Sequence, residues 1–199
     1  MTRRPLALLA VGCLLLSACS SSTPAAESTT APSAAASAAS PAGGGWLQQL
    51  GVDQSDAVAV IEAMEASSTP RPVDMKASVR YDKLVLADEQ GERELPIRNG
   101  KFYLSIAPYV DQTHECFAHS LSGCQGEQTG KPVHVTITDA QGATLVDTDA
   151  TTHSNGFVGF WLPRDISGKV TVTLDGRTGT VPFSTTADSP TCLTTLQVA

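Results

Sequence analysis

From Asp74 onward, apolar and polar positions alternate with a period of two. Val79 and Tyr81, Leu84 and Leu86, and Leu95 and Ile97 mark short strands, with Glu89-Gln90-Gly91-Glu92 as a hairpin turn. Phe102, Leu104 and Ile106 alternate with Tyr103 and Ser105, and Pro108 closes that strand. Val133, Val135 and Ile137 carry the next one, which turns at Asp139-Ala140-Gln141-Gly142 into a strand through Thr144 and Val146. Gly156 to Leu162 is apolar throughout and predicts a central strand buried on both faces. Val170, Val172 and Leu174 pair through Asp175-Gly176 with Val181 and Phe183, and Thr191 to Val198 reads as a last strand.

Before Asp74 the period is helical. Val58, Ile61 and Met64, with Ala57 and Ala63, follow helix spacing behind the capping residues Ser55 and Asp56, and Ser67-Ser68-Thr69-Pro70 ends the run. Leu47, Leu50 and Val52 suggest a shorter helical turn before it. The expected fold is therefore mainly β: a small β-sandwich with a short N-terminal helical appendage. The order Thr136-Ile137-Thr138-Asp139, Gly142, then Asn155-Gly156-Phe157 to Leu162-Pro163, then Val170-Thr171-Val172, gives it a prealbumin-like pattern.

The N-terminus changes the setting. Arg3 and Arg4 precede a short apolar run, Leu6 to Leu16, that falls short of the roughly 18–20 apolar residues a bilayer needs, so residues 1–18 read as a signal peptide. Leu16-Ser17-Ala18-Cys19 resembles the bacterial lipobox, whose cysteine is lipidated and becomes the new N-terminus. Residues 19–45 are nearly all Ala, Ser, Thr, Pro and Gly, a disordered tether with an average reach of about 30 Å. Folded material follows as a helix-plus-strand region, 46–100, and a sandwich region, 101–199. The expected location is outside the cytoplasm, lipid-anchored at the outer face of the plasma membrane.

Charge and cysteines narrow the function. Removal of Arg3 and Arg4 with the signal takes formal charge from −7 to −9, and an acidic surface argues against a nucleic-acid partner. With Cys13 cleaved off and Cys19 lipidated, Cys116, Cys124 and Cys192 remain. An odd count in an oxidising compartment leaves at least one thiol without an intrachain partner.

Two of these cysteines lie in Thr113 to Glu127, THECFAHSLSGCQGE, beside His114 and His119. Cys116 and His119 would share one side of a helical turn, whereas His114 would share the face of Cys116 only if extended. Cys124 can fold back, and Cys192 needs the tertiary fold to reach them. Two or three thiolates with an imidazole suit Cu(I) or Zn(II); zinc would take Cys116, Cys124, Cys192 and His119 together. A Cys116–Cys124 disulfide with Cys192 left over, and a catalytic thiol, are the competing readings. With no CxxC, neither a zinc ribbon nor a thioredoxin motif is supported. Met64 reads as core, His134 and His153 as surface, and Asp111 and Glu115 as oxygen donors poorly matched to Cu(I). No Ser-His-Asp order, phosphate loop or carboxylate pair stands out, and the expectation is a binding protein and not an enzyme, with the catalytic thiol as the open alternative.

Four segments carry a family resemblance: FYLSIAPYV (Phe102–Val110), THECFAHSLSGCQGE, NGFVGFWLPRD (Asn155–Asp165) and SPTCLTTLQ (Ser189–Gln197). In this order they resemble the CueP family of extracytoplasmic bacterial copper-binding proteins. The resemblance implies copper binding by Cys116, Cys124 and Cys192, with His119 matching a family histidine. It also implies a copper cargo; the thiolate set suits Cu(I), with zinc the alternative ion, and storage or transfer to a recipient cuproenzyme is the expected use. A homodimer is a further implication. Redox cycling of the same three cysteines, by Cu(II) reduction or disulfide exchange, is the alternative function.

Overall fold

The computed structural model describes residues 44–89 and 91–199. The signal peptide, Cys19 and the tether as far as residue 43 lie outside them. Among the described residues no helix is long and apolar enough to cross a membrane. The elements run α1 (Gly44–Gln49), α2 (Ala57–Ala66), β1 (Lys76–Val79), β2 (Lys83–Asp88), β3 (Gly91–Pro96), β4 (Lys101–Ile106) and β5 (Pro132–Asp139). They continue with β6 (Thr144–Thr151), β7 (Val158–Pro163), β8 (Ser167–Leu174), β9 (Arg177–Ser184) and β10 (Cys192–Leu193).

The strands form three sheets, ordered β1-β2-β3, β10-β4-β7 and β6-β5-β8-β9. Phe102, Leu104 and Ile106 of β4 face Val133, Val135 and Ile137 of β5 and Val170, Val172 and Leu174 of β8, which makes the sandwich core. On the other side, Val60, Ile61 and Met64 of α2 pack with Ala77 and Val79 of β1, Leu84 and Leu86 of β2, Tyr103 of β4, and Leu121. Burying each of those α2 side chains contributes roughly 1.5–3 kcal/mol. The helix begins where the pattern placed it: the Asp56 carboxylate accepts the Val58 N–H.

The strand buried on both faces is β4, not the apolar run Gly156 to Leu162. Every β4 residue after Lys101 is buried, because the sandwich covers one face and α2 with the first sheet covers the other. β7 lies at the edge of its sheet, with Gly159, Phe160 and Trp161 only half-buried. Trp161 lies against Tyr103, ring centroids 4.8 Å apart, and its indole N–H donates to the Glu62 carboxylate at 3.0 Å. The last segment is also shorter as a strand than its alternation predicts. Only Cys192 and Leu193 join the ladder, parallel to Ser105 and Ile106, and the chain rejoins this edge at a bridge between Tyr109 and Gln197.

Candidate metal centre

The Cys/His loop is held from three directions. The free edge of β1 takes it as a partial strand: Val79 N–H donates to the His119 carbonyl at 2.8 Å and Leu121 N–H to the Ala77 carbonyl at 2.9 Å. Thr191, one residue before Cys192, binds both sides of that edge. Its hydroxyl accepts the His119 N–H and donates to the Val79 carbonyl, each at 2.9 Å. At the far end, Gly126 N–H donates to the Asn155 carbonyl at 2.6 Å, where a Cβ on Gly126 would meet the Gly156 carbonyl oxygen at 2.9 Å. A side chain there would push the loop off the lead-in to β7.

Between these anchors the loop is irregular. Thr113 to His119 is not helical, so Cys116 and His119 do not share a helical turn. Only a tight turn interrupts it, with Cys124 N–H donating to the Ser120 carbonyl at 2.9 Å. That turn carries Cys124 back to within 3.5 Å of Cys116, sulfur to sulfur. The short parallel pairing of β10 delivers Cys192 to the same place.

The three sulfurs therefore meet. Cys116 and Cys192 form a disulfide with Cα atoms 5.7 Å apart, and Cys124 is the free thiol. The Cys116–Cys124 bridge is not the one formed. Parallel pairing with β4 brings Cys192 to Cys116, whereas the Ser120–Cys124 turn leaves Cys124 beside that bond. Ala107 and Phe157 complete a small apolar cluster with the three cysteines.

Two donor sets overlap here. His119, Cys124 and Cys192 have ligating atoms within 4.8 Å of one another, and so do His114, Cys116 and Cys124. The first set is largely buried and the second half-buried. All are sulfur or imidazole nitrogen, a soft-to-borderline set suited to copper or zinc and poorly suited to hard cations.

Behind His119 stands Glu65, the last acidic residue of α2, with its carboxylate buried. His119 Nε2 lies 2.6 Å from Glu65 Oε1, which turns Nδ1 toward the sulfurs, 3.7 Å from Cys192 Sγ. Ser105 donates to the same carboxylate at 3.2 Å and the Asn155 side-chain amide at 2.8 Å. Burial alone would raise the Glu65 pKa, but the His119 charge and these hydrogen bonds hold it well below the usual carboxylate range. Burial likewise opposes a charge on His119, and Glu65 overcomes it, holding the imidazole pKa above its ordinary value. Cys124 follows the same logic. Burial pushes its thiol up, yet His119 and the Ser120 N–H pull it below the ordinary cysteine range.

Comparison with known proteins identifies the family. The family model described as periplasmic copper-binding protein CueP matches residues 59–197. The chain belongs to the CueP family. A crystal structure of S.CueP superposes with a TM-score of 0.73 at 39% sequence identity, covering 78% of this chain and 96% of that one. No curated protein matches the chain.

The CueP match covers every cysteine and histidine singled out from the sequence between His114 and Cys192. Cys116, Cys124, Cys192 and His119 come together; His134 and His153 do not join them. His134 lies exposed on β5, its ring nitrogens 2.9 Å from Asp147 and 2.8 Å from Asp149 across to β6. Met64 is core, as its stripe predicted. Asp111 and Glu115 are not among the donor sets. Sequence reasoning missed Glu65, Asn155, Ser105 and Thr191, which hold the imidazole and its loop. One signal existed for Glu65: it lies four residues after Ile61, so a carboxylate sits on the buried face of an otherwise apolar helix.

Proposed function

We propose that this CueP-family chain captures Cu(I) outside the cytoplasm through the thiolates of Cys116, Cys124 and Cys192, for storage, detoxification or transfer to a cuproenzyme. The meeting of three sulfurs from a loop and a distant strand supports this reading. Thiolates select soft ions, and Cu(I) accepts a low-coordinate set that another protein's thiolates can enter one at a time. Zn(II) would call for His119 as a fourth ligand. Binding requires the Cys116–Cys192 disulfide to be opened by two electrons from an external thiol reductant. His119 stands beside the sulfurs and helps keep Cys124 deprotonated. The Leu16-Ser17-Ala18-Cys19 pattern supports a lipid anchor on the outer face of the plasma membrane.

The test is a competitive Cu(I) titration of the fully reduced protein, run beside Zn(II). A tight one-to-one Cu(I) complex lost in Cys192→Ser is the expected result. Zinc binding with no Cu(I) preference would overturn it.

A second reading, thiol redox chemistry with the same cysteines, is favoured by one observation. The Cys124 sulfur lies 3.5 Å from Cys116 Sγ of the disulfide. A Cys124 thiolate attacking Cys116 would form a Cys116–Cys124 bond and release Cys192 as a thiolate. Turnover of a model disulfide, abolished in Cys124→Ser, distinguishes this reading.

A further inference from the structure

The copper reading gives no role to His114, and the geometry supplies one. His114, Cys116 and Cys124 form a half-buried donor set, whereas Cys192 and His119 are shut away from solvent. A cavity of about 310 Å³, lined by Gln112, Thr113, His114, Gln125, Gly126 and Glu127, opens on the His114 side. Its walls are pinned. The Thr113 hydroxyl donates to the Thr194 carbonyl at 2.6 Å, and the Glu127 carboxylate accepts the Val110 N–H at 2.6 Å. His114 and His119 both lie against Phe157, with ring centroids 6.3 and 4.6 Å away. The two imidazoles thus mark an outer and an inner end of one sulfur cluster.

Resting on that copper reading, we infer that His114, Cys116 and Cys124 form an acceptance site where Cu(I) arriving from solvent or a donor protein is first held. One ligand exchange then moves the ion inward. The bond to the His114 imidazole breaks as a bond to Cys192 sulfur forms, the Cys192 thiol proton leaves to solvent, and His114 is left neutral. Cys116 and Cys124 stay bound throughout, and copper remains Cu(I). Both ends of the exchange need the Cys116–Cys192 disulfide reduced, which an external dithiol supplies. The open, mixed N/S₂ end sets how fast copper enters and leaves, and the closed S₃ end sets how tightly it is kept.

The experiment is stopped-flow transfer of Cu(I) from its bicinchoninate complex to the reduced mature protein, with equilibrium competition on the same samples. His114→Ala is expected to slow loading about tenfold while leaving the equilibrium affinity within about threefold, and exposed His134→Ala is the control. Cys192→Ser is expected to load at the wild-type rate and hold copper weakly, with X-ray absorption showing one nitrogen and two sulfurs. That nitrogen should vanish in His114→Ala/Cys192→Ser. Wild-type loading in His114→Ala, an affinity loss as large as that of Cys192→Ser, or retention of the nitrogen in the double variant would each overturn the acceptance site and leave three-thiolate binding standing. Failure of the wild-type protein to take any copper from the chelator would overturn both.

Discussion

His119 Nε2 sits 2.6 Å from Glu65 Oε1, with both side chains out of contact with water. The pair ties α2 to the Cys/His loop across 54 residues of sequence. It also orients the ring, because the nitrogen facing Glu65 leaves only Nδ1 for the sulfurs. Glu65 is in turn held by Ser105 of β4 and by Asn155 before β7. The imidazole therefore has no freedom to turn away.

Removing one partner of this buried pair leaves the other charge uncompensated. Glu65→Ala is expected to destabilise the protein by about 3–5 kcal/mol, and Glu65→Gln by distinctly less, because a glutamine still accepts from His119. Urea unfolding of the oxidised protein measures both. Equal losses would mean that the charge contributes nothing.

The same pair predicts a pH profile. His119 is held above its ordinary 6.5, so its contribution is complete below about that pH and fades as pH rises through the raised value. Glu65 is held below its ordinary 4.5, so its contribution is complete above about that pH and fades as pH falls through the lowered value. The stability difference between wild type and Glu65→Gln should therefore plateau between about pH 4.5 and 6.5 and shrink on either side. Unfolding midpoints across pH give the curve, and a difference independent of pH would contradict it.

Cys124 should react as a low-pKa thiol. In the oxidised protein, its alkylation rate is expected to rise with a midpoint below the ordinary cysteine value of 9.0. His119→Gln should move that midpoint upward, because a neutral side chain no longer stabilises the thiolate. Rates with iodoacetamide across pH, normalised to a small-molecule thiol, measure the shift.

The loop depends on a close approach of two backbones. A methyl on Gly126 would lie 2.9 Å from the Gly156 carbonyl oxygen and 3.1 Å from the Ala107 side chain. Gly126→Ala is expected to cost about 1–3 kcal/mol and to weaken Cu(I) binding by displacing Cys124, two residues away. Thermal denaturation and copper competition on one sample check the two together. Gly126→Ala with unchanged copper affinity would show that the turn holds Cys124 independently of this contact.

Much of this architecture was legible along the chain. The alternation in Phe102 to Ile106, Val133 to Ile137 and Val170 to Leu174 named the sandwich core residue by residue, since a strand with one face on a core must alternate. Asp56 and the Val58–Ile61–Met64 stripe placed α2 for the same local reason. What the pattern misassigned was the layer. Gly156 to Leu162 read as the strand buried on both faces, but β7 is an edge strand. It is β4 whose second face, Tyr103 and Ser105, is covered by α2 and the β1-β2-β3 sheet; no periodicity within a strand records what will be laid over it.

The centre divides along the same line. Residue types alone showed that cysteines and neighbouring imidazoles crowd one loop, that a further cysteine lies near the end of the chain, and that the donors are soft. Which sulfurs bond, and which nitrogen faces them, depends on contacts between residues far apart in the chain. Cys192 reaches Cys116 through a two-residue parallel pairing across a separation of 76 residues, and His119 is turned by a carboxylate from a helix on the opposite side of the loop. Such contacts exist only after the layers have packed, because their energy comes from burial that no single segment provides by itself.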